Sequence, residues 1–258
     1  MSAPAVYLIL GPSGAGRRAL IADLAENGLD ATEKALLLTF MDEPPPPPDL
    51  AEHLGRLTNL ACRTWELDDD KRLIATIEEG VSHVFFVSNG RADPVDEIEA
   101  VLGWLPAAGA SIGRVITVVD CALGHAHPEL KRWYDACVHF SDVVLLGRRS
   151  SVPNAWIGEF TGRLRKEHFP CLVELIKNDE VENPALILEP QARRISTVFD
   201  AGEEWADLED EDEDEESEGG DSGAGAGVDP YLEKLPSGRR VRELPDIRRF
   251  LDQAGQDQ

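Results

Sequence analysis

The chain of 258 residues carries 49 Asp and Glu against 25 Lys and Arg, a formal charge of -24. That balance excludes a bare nucleic-acid binder, because phosphate backbones select clustered Lys and Arg. A hydrophobic share of 42% with five Trp supplies a real core and excludes a wholly disordered chain; the length suits one α/β domain with appendages. No apolar run approaches the ~20 residues that span a bilayer. The opening MSAPAVYLILGPSG lacks the basic n-region and cleavage pattern of a signal peptide. No membrane association is expected, and the default localisation is cytoplasmic. Cys62, Cys121, Cys137 and Cys171 are far apart with no CxxC pair, so they read as buried small hydrophobes rather than a disulfide framework or a zinc site.

Along the chain, apolar runs alternate with helical patterns. Strands are expected at 5–10, 34–40, around 63–67, and at 83–88, 114–120, 142–147 and 171–176. Helices are expected between them, at about 16–27, 49–58, 69–79, 94–104, 128–138 and 154–167. Several strands are apolar on both faces, the pattern of a parallel sheet covered by helices on each side. The expected fold is therefore a doubly wound, mostly parallel α/β domain with a P-loop after the first strand, within residues 1–200. Pro44 to Pro48 interrupt the alternation as a stiff, extended connector. From Glu203 to Asp221 there are thirteen acids and no base, more than half of the net charge. Such a run repels itself and cannot bury enough apolar surface to offset ordering, so 201–227 reads as an acidic, Gly-rich disordered linker. Residues 228–258 regain apolar character. Leu244, Ile247 and Leu251 recur at three- and four-residue spacing, the mark of one short amphipathic helix.

The first strand runs into GPSGAGRRALIADLAENG. A P-loop is GxxxxGK(S/T) between strand and helix: glycines let backbone N–H groups wrap a polyphosphate, Lys meets the outer phosphates, and Ser or Thr holds magnesium. Gly11, Ser13, Gly14, Ala15 and Gly16 preserve the loop, but Arg17 and Arg18 stand at the two chemical positions. Arg17 keeps a charge on a broader planar head. Arg18 removes the magnesium-ligating hydroxyl and brings a cation toward the metal's place, where two unit charges 4 Å apart repel by about 4 kcal/mol at an effective dielectric near 20.

The order of motifs resembles the CobW-type metallochaperone GTPases over roughly residues 5 to 180. VFFVSNGRADPVDEI is similar to that family's IE(S/T)(S/T)GLADP segment through Gly90, Ala92, Asp93 and Pro94. RVITVVDCA resembles its VVDA strand through Val118, Val119 and Asp120, and FSDVVLLGRRSSV falls where the family has ADxxLLNKxD, with Asp142, Leu145 and Leu146 in register. The resemblance implies a nucleotide site whose base-recognition loop is Gly147, Arg148, Arg149 and Ser150. In the family an Asp there accepts guanine N–H groups; each charge-assisted hydrogen bond lost is worth about 1.5 to 3 kcal/mol. Val87 stands where the family has a Glu, and the CxCC metal-binding cysteines are absent, with Cys62 alone in NLACRTW.

The expectation that follows is a degenerate member, a pseudo-GTPase serving as a binding or regulatory scaffold. No confident catalytic residue is assigned. GTP or another nucleotide remains a candidate ligand; magnesium is doubtful. The alternative is a slow nucleoside triphosphatase of the metallochaperone type, in which Asp93 or Asp120 orients magnesium. Asp93 followed by Pro94 reads equally as a helix cap. Cys121, His125 and His127 form a weak metal set, with a polar loop as the plainer reading. The tail is expected to dock on its own domain or on a protein partner, because its apolar residues would otherwise face water and a helix so short is marginal alone.

Overall fold

The computed structural model describes residues 3–30, 32–200 and 229–254. The expected acidic linker at 201–227 lies outside the described residues. Among the described residues eight strands form one sheet: β1 (Ala5–Leu10), β2 (Ala35–Phe40), β3 (Leu60–Leu67), β4 (Leu73–Ile74), β5 (His83–Val87), β6 (Ser111–Asp120), β7 (Val143–Gly147) and β8 (Leu172–Leu175). Their order is β4-β3-β2-β5-β1-β6-β7-β8. Every pairing is parallel except the short antiparallel one between β3 and β4.

The helices are α1 (Arg17–Asn27), α2 (Pro48–Arg56), α3 (Pro94–Ala108), α4 (Cys121–Ala126), α5 (Lys131–His139), α6 (Asn154–Lys166), α7 (Pro184–Leu188) and α8 (Arg248–Ala254). Side chains of a strand alternate between faces. On one face Tyr7, Ile9, Leu37, Phe85 and Val87 pack in a single cluster with Leu20, Ile21 and Leu24 of α1, Leu54 of α2, and Ile187 and Leu188 of α7. On the other, Phe86 stacks on Trp65 and meets Trp104 of α3. The doubly wound, mostly parallel architecture read from the sequence is the one observed. No helix among the described residues is long and apolar enough to cross a membrane.

The expected helix at 69–79 does not form. The Asp68 carboxylate accepts hydrogen bonds from the Asp70 and Arg72 amides, and Lys71 takes a left-handed conformation (φ 60). This Asx-type turn reverses the chain, so Leu73 and Ile74 pair antiparallel with Leu67 and Glu66. Local side-chain bonding by Asp outcompetes helix propagation there. In the tail, α8 begins only at Arg248; Pro245 lacks an amide hydrogen, and Leu244 lies before the helix, outside any regular element.

Contacts divide the chain into two units, Met1–Ile195 with Leu244–Gln258, and Ser196–Glu243. In the second, the Ser196 hydroxyl lies 2.6 Å from an Asp229 carboxylate oxygen, Lys234 and Arg240 form a bridge, and the Arg242 guanidinium sits 4.9 Å above the Tyr231 ring.

Candidate functional site

The strand order reverses direction of growth around β1, with β5 on one side and β6 on the other. In open α/β sheets this carboxyl edge is where ligands are held. The Gly11–Gly16 turn sits there. Gly11, Gly14 and Gly16 have φ of 129, 85 and 85, a region that L side chains rarely adopt. A Cβ at Gly11 would also strike the Val118 carbonyl of β6. The turn therefore has the backbone shape that the sequence predicts, and Gly16 is the left-handed N-cap of α1.

Its side chains point elsewhere than at a phosphate. Arg17 is 3% exposed and folds back against the end of β5. Its Nη1 donates to the Ser88 carbonyl and, at 3.0 Å, to the Ser88 hydroxyl. Its Nη2 donates to Glu43 Oε1 and to the Asn89 carbonyl, both at 3.3 Å. Burial pulls the guanidinium below its ordinary value, partly offset by Glu43 and Glu97. Arg18 turns outward, with Nη1 donating to the Pro44 carbonyl at 2.7 Å.

Two loops close on the turn. Gly90 (φ 72) accepts the Ser13 amide at 2.9 Å, and a Cβ there would lie 2.7 Å from both Arg17 Nη2 and the Gly11 carbonyl. From the turn after β7, Arg148 (φ 49) reaches back so that its Nη2 donates to the Gly14 carbonyl, while its Nε is 3.5 Å from Asp120 Oδ2. Arg149 donates to the Ile176 carbonyl at 3.3 Å, and Ser150 is exposed. The four residues expected to read a base thus put one arginine onto the P-loop and another onto the chain after β8.

Both candidate magnesium carboxylates cap helices. Asp93 Oδ1 accepts from the Val95 amide at 2.9 Å, with Pro94 at the first position of α3. Asp120 Oδ1 accepts from the Leu123 amide at 2.9 Å at the start of α4; burial raises its pKa, countered in part by that bond and by Arg148. The weak metal set is not assembled. Cys121 is buried, His125 faces Trp156 and His127 faces Phe250. No group of three metal-ligating side chains occurs among the described residues.

Three participants were not read from the sequence. Glu43 is the carboxylate partner of Arg17, both side chains being nearly fully buried. Glu97 of α3 is buried and accepts the Asn89 amide through both oxygens at 3.0 and 3.1 Å; burial pushes its pKa up to about 8, against the Asn89 bond and Arg17. The turn after β8 places Asn178 and Asp179 at φ 53 and 65, with Asp179 Oδ1 3.5 Å from where a Gly16 Cβ would be. The Asn-Asp pair was the available signal, since these residues tolerate the left-handed region.

The cleft over the turn measures about 590 Å³. Its walls carry six carboxylates (Asp23, Glu26, Glu43, Asp49, Asp179, Glu180) against three arginines (Arg17, Arg18, Arg148). Arg18 stands at the position where a P-loop carries its magnesium-ligating hydroxyl, and the Arg17 guanidinium beside it is bonded inward.

No family model matches the sequence, and no curated protein matches it. Among solved structures the chain is similar to the Zn(II)-bound YjiA GTPase from E. coli, with 15% identity and a TM-score of 0.46, covering 75% of this chain and 67% of that one. It is also similar to the signal recognition particle receptor FtsY from Elizabethkingia anophelis in complex with GDP, with 12% identity and a TM-score of 0.47, covering 73% and 63%. HypB from Helicobacter pylori in complex with nickel has 10% identity and a TM-score of 0.39, covering 67% and 78%. Likeness at these identities and TM-scores carries nothing about this chain's chemistry.

Proposed function

We propose that this chain is a degenerate P-loop protein, a pseudo-GTPase that works as a binding or regulatory scaffold rather than by hydrolysing a nucleotide. The observation that carries this reading is the bonding of Arg17: its guanidinium is engaged by Ser88, Asn89 and Glu43. A phosphate recruiting Arg17 would have to break a buried ion pair and leave Glu43 uncompensated, which is costly in a low-dielectric site. Arg148 on the Gly14 carbonyl supports the same reading, because a protein cation occupies the rim where a ligand's phosphates would enter. The hydrolytic alternative requires Asp93 or Asp120 to hold magnesium, and one oxygen of each is committed to a helix cap.

Titration of the purified chain with labelled GTP, GDP and ATP, with and without magnesium, alongside a turnover assay, tests the proposal. No magnesium-dependent GTP turnover is expected. Whatever nucleotide binding occurs should discriminate little between guanine and adenine, because no carboxylate stands at Ser150. Turnover at an ordinary GTPase rate that is lost on changing Arg17, or a preference for GTP over ATP of about a hundredfold (about 2.7 kcal/mol), would overturn it.

A further inference from the structure

The C-terminal segment returns to the sheet domain at a meaningful place. Ile247 is 1% exposed, and the Phe250 ring lies 5.1 Å from that of His127. Leu244 to Arg248 form one wall of a cleft of about 590 Å³ whose opposite wall is Phe40, Asp42 and the loop Asn89 to Asp93. That loop supports the P-loop turn directly: Gly90 accepts the Ser13 amide, the Asn89 carbonyl accepts Arg17 Nη2, and the Asn89 amide is held by Glu97. The tail therefore faces, across one cleft, the loop that braces the turn.

We infer that Leu244–Leu251 is a cis-acting latch, seated by Ile247 and Phe250, that holds the loop Ser88–Asp93 and with it the self-bonded state of Arg17 and the Gly11–Gly16 turn. This deepens the scaffold reading and rests on it for the meaning of the turn, though not for the contacts themselves. Two apolar anchors beside an open cleft make a reversible attachment: burial of Ile247 supplies the hydrophobic drive, while the cleft leaves the remainder of the segment unzippered. A helix as short as α8 is marginal alone, so the seat and the helix are expected to form together. Releasing the tail removes one wall of the cleft and loosens the loop, and any ligand that displaces Gly90 or Arg17 works against the latch by the same amount, because coupling between sites is reciprocal.

Hydrogen exchange on the full chain, with no nucleotide present, tests the latch. In Ile247→Asp the amides of Asn89 to Ala92 and of Ser13 are expected to exchange more than tenfold faster than in the unaltered chain, while central β1 and β6 amides stay protected. A synthetic peptide spanning Glu243 to Ala254 should bind the variant saturably and restore the slow exchange. Phe250→Ala, a milder change at the second anchor, should give the same pattern at smaller amplitude and serves where Ile247→Asp compromises folding. Unchanged exchange at Ser13 and Asn89 to Ala92 in both variants would overturn the latch. So would acceleration spread evenly over the sheet in both, since the tail would then be a general prop. A nucleotide result contradicting the scaffold reading leaves this outcome readable on its own.

Discussion

The turns after β1 and β7 lie at the same carboxyl edge of the sheet, separated only by β6, yet they are specified in different ways. The first owes its shape to Gly11, Gly14 and Gly16, all at positive φ, and keeps the backbone of a phosphate cradle whose cation is turned into the protein. The second has no such backbone template; its leading residue Arg148 is itself left-handed and extends to the first turn's Gly14 carbonyl. Backbone geometry and side-chain chemistry are thus separable. Three glycines at positive φ shape the turn, while Ser88, Asn89 and Glu43 decide where the Arg17 guanidinium lies.

The sharpest way to break that contrast is to remove the partner of Arg17. Glu43→Ala leaves a buried guanidinium without its carboxylate and should cost about 3–5 kcal/mol, read by urea unfolding; a loss under 1 kcal/mol would mean that Arg17 reaches solvent easily. Next in size is Gly90→Ala. The new Cβ meets Arg17 Nη2 and the Gly11 carbonyl at 2.7 Å in a φ of 72, so a loss of about 1–3 kcal/mol is expected, with faster exchange at the Ser13 amide.

Glu97 gives a pH signature. Its folded carboxyl keeps a proton up to about pH 8, against an ordinary value of 4.5. Across that window the folded state binds more protons than the unfolded one, so stability from this group is full below about 4.5 and falls as pH rises, by at most about 1.4 kcal/mol per unit. Glu97→Gln should flatten this slope between pH 5 and about 8, measured by denaturation at several pH values; an unchanged slope would place the titration elsewhere. The smallest effect belongs to the second turn. Arg148 is half exposed and its pair with Asp120 is long, so Arg148→Ala should shift stability by no more than about 1 kcal/mol and leave the Gly11–Gly16 backbone in place. A larger loss would show that the first turn depends on the second for its shape.

Much of the sheet was legible because its strands are apolar on both faces and its turns carry glycine or proline. The cradle was legible for the same reason: a left-handed turn announces itself through Gly. The 69–79 segment misled because DDDKRLIATIEE has helical composition while Asp68 supplies a turn through its own side chain. The direction of Arg17 was not legible, since it depends on Glu43, 26 residues away in the chain, and Ser88, 71 residues away, brought together only by the parallel order of β2, β5 and β1. Asp93 reads from the sequence as ambiguous between cap and catalyst, and Asp120 as a candidate to orient magnesium; one oxygen of each accepts a helix-capping bond.

The central claim is that the arginines of the P-loop and of the turn after β7 are engaged by the chain itself rather than left open to a phosphate. It is tested most directly by NMR of the chain carrying nitrogen-15 in its amides and arginine guanidinium groups, titrated with pyrophosphate and with magnesium and GTP. The account predicts that the Arg17 guanidinium and the Gly14 and Gly16 amides show no saturable movement up to about 1 mM ligand. Saturable movement of all three at micromolar GTP, dependent on magnesium, would contradict it.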